Sequence, residues 1–366
     1  VETLRYLSDE IEARRAGGLG EAQAAGYLAG RLRRANYAAT VLSFRTGIGE
    51  ALPLILAASL GAAGALLAAW ATYPPAQGLA VIVIIVALAL FWTDLEGAQP
   101  LRRLLKGRLS QSVVAVRAAS GRLRWRVVVL APLDSPPRSA LGRRGIRIIL
   151  LALGAALVGA IIFALTSAPV WRLLLAGSAI VLAGGAITVA LRSALPAPWP
   201  AIHGAGDLAA LVMTAESLEP LVHVEVWFAA LGGSTISHAN VEALLARYPF
   251  SPVDTCFINL HAIAAGQPVF VTREGLLRER RSNRMLLALA DETDAADVSI
   301  DAEPRRLQQR TLAHALLRHG QRVITISSHS DATPFTSPDA ATIERCTRLV
   351  TGMIRGLETD GRGRGP

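Results

Sequence analysis

Residues 51–93 read ALPLILAASLGAAGALLAAWATYPPAQGLAVIVIIVALALFWT. The stretch carries no charged side chain and is broken at Tyr73-Pro74-Pro75, where two prolines in a row cannot continue a helix. About 20 apolar residues suffice to cross a hydrocarbon core of about 30 Å. The stretch therefore predicts two membrane spans, Ala51–Thr72 and Ala76–Thr93, folded back as a hairpin. A second pair follows the same pattern, Ile148–Val170 and Leu173–Leu191, with its turn predicted around Pro169-Val170-Trp171-Arg172. Trp70, Tyr73, Trp92 and Trp171 stand at span ends, where amphipathic rings favour the headgroup zone. Gly61, Gly64, Gly154, Gly159, Gly177, Gly184 and Gly185 punctuate the spans and predict close helix packing. No charge falls inside the predicted spans, which argues against an ion or proton path.

Outside these runs the chain is strongly basic. The net charge is +9, and nearly all the basic residues are arginine. Arg102, Arg103, Lys106, Arg108, Arg117, Arg122, Arg124, Arg126, Arg138, Arg143, Arg144 and Arg147 lie between the hairpins, and Arg5, Arg14, Arg15, Arg31, Arg33, Arg34 and Arg45 precede the first. The two outer turns hold only Arg172. The positive-inside rule then places the N-terminal segment, the middle segment and the C-terminal part on the cytoplasmic side of a plasma membrane, with the lipid bilayer as partner. No interleaved aromatic and basic stripe and no zinc-finger spacing is present, so nucleic acid is not an expected partner. The hydrophobic share of 52% and the mean hydropathy of +0.40 are concentrated in the four runs, which leaves ordinary soluble composition elsewhere. Cys256 and Cys346 are isolated and read as reduced thiols. Residues 1–47 are amphipathic and charged, without the apolar stretch of a cleavable signal peptide.

Because each hairpin returns the chain to the side it left, the three remaining pieces (1–50, 94–147 and 192–358) can fold together, with 359–366 as a disordered basic tail. Apolar periodicity predicts two helices within 2–34, then a strand at Thr40–Phe44. Ser112–Arg117 and Trp125–Ala131 read as strands joined by a turn at Ser120-Gly121. Helices are predicted at Asp207–Leu218, Val241–Tyr248, Arg280–Ala290, Arg306–His319 and Ala340–Leu357, and strands at Val222–Ala230, Thr255–Leu260 and Arg322–Ser327. Alternation of this kind predicts an α/β fold, a three-layer sandwich around a largely parallel mixed sheet, beside four transmembrane helices.

The order of these segments resembles the M28 family of zinc aminopeptidases, with its bacterial aminopeptidase and glutaminyl-cyclase-like fold. GGLGEAQAAGYLAGRLRRANYAATVLSF (17–44) resembles the family's first helix and strand, and RVVVLAPLDSPP (126–137) its strand ending in Ala-His-x-Asp-Ser. HGAGDLAALVMTAESL (203–218) resembles its Gly-Ala-x-Asp-Asn-x-Ser-Gly turn and helix, and VEVWFAALGGS (224–234) its strand leading into Glu-Glu. FINLHAIAAGQPVFVTREGLL (257–277) resembles its strand ending in Asn-Leu-Asp, and HSDATPFTSPDAATIERCTRLV (329–350) its His-Thr turn and last helix.

In that family two zinc ions share a bridging Asp, each ion also takes a His and a carboxylate, and a separate Glu deprotonates the shared water. Matched onto this chain, the resemblance implies that the first His is replaced by Pro132, while Asp134 keeps the nearby supporting position. Asp207 keeps the bridging position, although Leu208 replaces the Asn after it. The Glu-Glu pair falls on Ser234-Thr235, the Asp after Asn-Leu becomes His261, and the last His survives as His329. Pro132, Ser234 and Thr235 are thus degenerate positions that remove a base and ligands. The expectation is a non-catalytic binding or scaffold protein with no cofactor and no catalytic residue, binding a peptide or protein partner at the former active-site cleft. The alternative is an active metallopeptidase with a remodelled zinc site on Asp207, His261 and His329, with Asp134 in support.

Blander readings stand beside these. Asp207 caps its helix and the two histidines hydrogen-bond locally at strand ends. His203, His223, His238, His314 and His319 follow no ligand spacing and read as structural or surface residues. Ser234-Thr235 and Ser327-Ser328-His329 lack the Gly-x-Ser-x-Gly setting of a serine nucleophile. Gly204-Ala205-Gly206 reads as a plain loop rather than a phosphate cradle, since neither a Lys nor a downstream acid accompanies it.

Overall fold

A computed structural model describes residues 2–11, 13–47, 49, 51–97, 99–105, 107–135, 141–194, 204–234, 238–248, 250–330 and 338–360. They divide into two compact units. One comprises the described residues of Val1–Thr46, Arg108–Pro137 and Trp199–Pro366, and the other those of Gly47–Gly107 and Arg138–Pro198.

The first unit is the three-layer α/β sandwich. It opens with α1 (Glu2–Arg5), which continues as a π-helical turn over Tyr6–Glu10, and α2 (Leu19–Arg34). Nine strands form one sheet: β1 (Ala38–Arg45), β2 (Leu109–Arg117), β3 (Trp125–Pro132), β4 (Val224–Leu231), β5 (Thr255–Leu260), β6 (Gln267–Glu274), β7 (Arg280–Arg281), β8 (Glu303–Leu307) and β9 (Arg322–His329). Their order is β1-β2-β4-β3-β5-β9-β6-β7, with β8 beside β6. The central run β4-β3-β5-β9 is parallel, and its flanks are antiparallel except for the β6–β8 pair.

Successive side chains of a strand point to opposite faces. Accordingly Val127, Val129 and Ala131 join one buried cluster with α2, α8 (Ala205–Ser217), α10 (Arg284–Ala296) and α12 (Ala340–Asp360). Val128 and Leu130 join the opposite cluster with α9 (Ala239–Arg247) and α11 (Leu312–Arg318). Cys256 and Cys346 are buried, unpaired thiols.

Three local expectations change. The turn at Ser120-Gly121 does join β2 to β3, but the two strands are not neighbours, because β4 lies between them. The amides of Ser120 and Gly121 donate to the carbonyls of Leu221 (3.0 Å) and Val222 (2.9 Å), so the turn hands its hydrogen bonds to the chain entering β4. The predicted helix Arg280–Ala290 begins instead at Arg284. Asn283 caps it by accepting from the amides of Met285 (3.1 Å) and Leu286 (3.3 Å), and Arg280–Arg281 pairs with β6 as β7. Within the predicted helix Arg306–His319, residues 306–307 belong to β8, and α11 starts only after the Thr311 cap, whose hydroxyl accepts from the amide of Ala313 at 3.1 Å. Helix α12 includes Thr359 and Asp360, and residues 361–366 of the expected tail lie outside the described residues.

The second unit contains α3 (Ala51–Trp70), α4 (Pro74–Leu95), the short α5 (Pro100–Leu104), α6 (Arg143–Thr166) and α7 (Val170–Ala194). The four long helices are long and apolar enough to cross a membrane. Helix α3 lies against α4 and α7, and α6 against α7 and α4. Small side chains make up much of their shared core, including Ala65, Ala69, Ala80, Ala156 and Ala160. A Cβ on Gly61 would lie 2.4 Å from Leu153, and one on Gly64 2.7 Å from Ile84, whereas Gly154, Gly177 and Gly184 face open space. Leu151, Leu173 and Ile180 are exposed, an outward apolar surface suited to lipid.

The second hairpin turn is tighter than predicted. Ser167 closes α6 in the left-handed region, and Val170, Trp171 and Arg172 already belong to α7. At the first hairpin Pro74 opens α4 rather than standing outside it, because a proline at the first helical position removes only an amide that has no partner there. Helix α4 also runs past Thr93 and includes Asp94. That carboxylate is buried and accepts from Arg102 Nη2 at 2.8 Å, so this charge at the end of α4 is matched within its own unit.

Within the sandwich, Glu274 is fully buried at the end of β6, where its carboxyl accepts from the hydroxyls of Thr311 (3.0 Å) and Thr325 (2.8 Å). Asn259 donates to both threonines at 3.1 Å. Burial pushes Glu274 up to about 7 against these hydrogen bonds. The folded state thus binds this proton more tightly than the unfolded chain, and the associated stability is complete below the unfolded value and lost as pH rises through about 7. Thermal unfolding in detergent should show a decline of about 3 kcal/mol from this group between acid and neutral pH. Glu274→Gln should remove that part of the profile, and an unchanged profile would refute the assignment.

Candidate active site and its buried charges

Parallel strands bring their carboxyl ends to one edge of a sheet. Pro132 pairs with Leu231, and Leu260 with Ile326, so the segments after β3, β4, β5 and β9 emerge side by side. The first three of these segments carry Asp134, Ser234 and His261, and β9 itself ends in His329. Helix α8 begins at the same edge and brings in Asp207.

Asp207 lies in the first turn of α8 and is 1% exposed. It does not cap its own helix, contrary to the blander expectation. Its Oδ2 accepts from the amide of Ala262 at 3.1 Å, and its Oδ1 from the amide of Ile263 at 2.6 Å. The carboxyl therefore pins the loop that follows β5. Ala262 adopts a φ of +56°, a conformation that L residues rarely take, and its hydrogen bond to Asp207 helps hold it there. Helix and loop come so close that a Cβ on Gly206 would lie 2.0 Å from the carbonyl oxygen of Ile263. Packing thus accounts for Gly206, and the left-handed turn at Gly204 (φ +74°) for the other glycine of the pair. Burial pushes the Asp207 carboxyl up and the His261 ring down, and the charges of the two groups oppose each other's shift.

Asp134 is fully buried just beyond β3. Its Oδ1 accepts from the amide of Ser234 at 2.9 Å and from the Ser234 hydroxyl at 2.5 Å. Glu21, on α2, holds the same loop from another side. It accepts from the amide of Gly233 at 3.1 Å, from Ser110 Oγ at 2.5 Å and from the amide of Gly17. Burial pushes its carboxyl up to about 7. The loop 232–234 is thus held by two acids. Thr235, the neighbour of Ser234, lies outside the described residues, as does His203.

The sequence reading did not single out Arg14 among the arginines of its segment. It is 0% exposed, and its Nε and Nη1 donate to the carbonyls of Leu133 (3.1 Å) and Leu7 (3.0 Å). Burial lowers it to about 10, with Asp207 and Asp134 pulling the other way, so it is cationic at neutral pH. The usable sequence signal was weak: an arginine between the apolar positions Ile11 and Ala16, both buried.

His261 Nε2 lies 3.2 Å from Gln309 Nε2, and His329 ends β9 opposite Gln267. Among the described residues, no three or more His, Cys, Asp or Glu side chains gather so as to hold one metal ion, and Asp207, His261 and His329 form no such group. The serine pairs serve the loops: Ser328 Oγ accepts from the amide of Ala264 at 2.8 Å, and Ser234 is held by Asp134. Of the remaining histidines, His223 contacts the Arg122 carbonyl at 3.0 Å, His238 and His319 flank helix ends, and His314 is buried in α11. Burial and the neighbouring Arg280, Arg310 and Arg318 push His314 down to about 4, so it is neutral.

No protein-family profile matches the sequence, and no curated protein matches it. Solved structures do share the fold. A zinc aminopeptidase from Bacillus subtilis superposes with a TM-score of 0.54 at 11% identity, covering 97% of this chain and 93% of that one. A glutaminyl cyclase from Porphyromonas gingivalis gives 0.52 at 11% identity, covering 98% and 96%. An aminopeptidase from Aneurinibacillus sp. strain AM-1 gives 0.50 at 12% identity, covering 100% and 93%. The mixed sheet with its helices is the aminopeptidase-like fold.

If Asp207 holds the β5 loop as described, Asp207→Ala leaves two amides without their acceptor and should cost about 3 kcal/mol. Amide exchange at Ala262 and Ile263 should accelerate at least about tenfold. Unchanged protection there would contradict the role.

Proposed function

We propose that this chain is a membrane-embedded protein whose aminopeptidase-like domain has lost the dinuclear zinc site and works by binding rather than by catalysis. The observation that carries the reading is the chemistry at the carboxyl ends of β3, β4 and β5. Pro132 offers no ligand atom in its side chain. Ser234 cannot serve as a carboxylate base, and its hydroxyl is already given to Asp134. Asp207 already accepts a backbone amide on each carboxyl oxygen, which a metal ion would have to share. These groups do not suit a pair of zinc ions, so no chemical step is assigned to one. The edge of the sheet would instead offer a surface for a peptide, a protein segment or another membrane component.

Metal content separates this reading from a remodelled metallohydrolase built on Asp207, His261 and His329. Protein purified without chelator should carry less than about 0.2 zinc per chain, since a working site binds zinc tightly. It should also show no chelator-sensitive release of aryl amine from aminoacyl arylamides. Stoichiometric zinc together with such turnover would overturn the proposal.

The basic middle and N-terminal segments support a plasma-membrane protein with the α/β domain on the cytoplasmic side. Alkaline phosphatase joined after Asp360 should be inactive in a bacterial host, and inserted at Tyr73-Pro74 it should be active. The reverse pattern would invert the assignment.

A further inference from the structure

We infer that the guanidinium of Arg14 is the resident counter-charge of this centre, compensating Asp134 and Asp207 where the zinc-dependent proteins of this fold would use metal ions. The inference rests on the preceding proposal that the chain holds no dinuclear zinc.

Three observations lead to it. Arg14 is 0% exposed, while its neighbour Arg15 is exposed and the Arg5 side chain is 81% exposed. An arginine is withdrawn from water in this way only when its charge and its N–H groups are matched inside. Two of those groups are committed to the carbonyls of Leu7 and Leu133, which fixes the plane of the fork. Lastly, a single point marks where the guanidinium approaches the Asp207 carboxyl and the backbone of Asp134. A Cβ built on Gly204 would lie 3.7 Å from Arg14 Nη2, 3.9 Å from the Asp134 carbonyl oxygen and 4.0 Å from Asp207 Oδ2. Gly204 keeps this space free of a side chain, and the guanidinium, the Asp207 carboxyl and the Asp134 backbone carbonyl converge around it.

A divalent cation placed there would face the guanidinium at short range in a poorly screened interior, where like charges repel strongly. It would also have to compete with the amides of Ala262 and Ile263 for Asp207. Arg14 accordingly does two things: it neutralises buried acids that would otherwise be costly, and it bars a metal from the place. Its chain position supports the first role. The amide of Ser135 donates to the Arg14 carbonyl at 2.8 Å, so the segment carrying Arg14 is stitched to the loop carrying Asp134. Glu21 and Asp134 hold the same loop through Gly233 and Ser234, and His261 precedes the Ala262 amide that donates to Asp207, so the cluster is drawn from five segments of the chain.

The test separates charge from shape. Arg14→Lys keeps the positive charge and loses the fork, whereas Arg14→Gln keeps a hydrogen-bond donor and loses the charge. Each is made in the full chain in lipid nanodiscs, alone and together with Asp134→Asn, and the opening equilibrium of β3 and β5 is read by amide exchange. The side-chain amide introduced by Asp134→Asn can still accept from Ser234 through its oxygen, so this substitution removes chiefly the charge. The opening constant of Arg14→Gln should exceed that of Arg14→Lys on the order of 30-fold, and the gap should shrink to a few-fold in the Asp134→Asn background. If Arg14→Gln alone gives no folded protein, recovery of folding in Arg14→Gln/Asp134→Asn counts as the same result. Equal stability of the Lys and Gln variants, or a gap indifferent to Asp134, would leave Arg14 as a packing residue and overturn this inference alone. Stoichiometric zinc in the unaltered protein would instead overturn the preceding proposal, and this inference with it.

Discussion

A carboxylate in a protein interior must be hydrogen-bonded and balanced, and the arrangement at the end of this sheet follows from that requirement. Asp207 enters on the first turn of α8 and takes the amides of Ala262 and Ile263. That contact sets the unusual backbone of Ala262, and it draws the helix so near that only glycine fits at position 206. Asp134 does the same for the loop after β4 through Ser234, and Glu21 holds the other side of that loop through Gly233. Three acids thus organise the segments that leave the parallel strands, and Arg14 is the buried cation among them.

A metal centre makes a different demand on its surroundings. Metal ions concentrate positive charge at a point and ask for lone pairs facing that point. Here Asp207 accepts from two backbone amides, and Asp134 Oδ1 accepts from the amide and hydroxyl of Ser234, all neutral donors.

The helical unit obeys the complementary rule. Alanines make up much of its interior beside Ile84, Phe163 and Leu175, leucine and isoleucine are exposed on its exterior, and the charge at the end of α4 is answered by Arg102. In lipid, apolar side chains gain little by being hidden, so close approach of backbones and local pairing of charge hold such a unit together.

By itself the sequence determined the four long apolar helices, the α/β alternation, most helix and strand positions and the resemblance to zinc aminopeptidases, because these are written in local periodicity and in the order of short motifs. It also marked Pro132, Asp134, Asp207, Ser234, His261 and His329 as residues at one edge. It did not reveal that β4 parts β2 from β3, that Glu303–Leu307 is a strand, or that β6 continues the sheet beyond β9, because strand neighbours are chosen by hydrogen bonds between segments far apart in the chain. Nor did it distinguish Arg14 from the arginines around it, or show that Asp207 serves a distant loop rather than its own helix. Those roles exist only once burial has removed water and brought residues 14, 134, 207 and 262 together. Only the tertiary structure could decide them, because a charge acquires its partner from the fold and not from its neighbours in sequence.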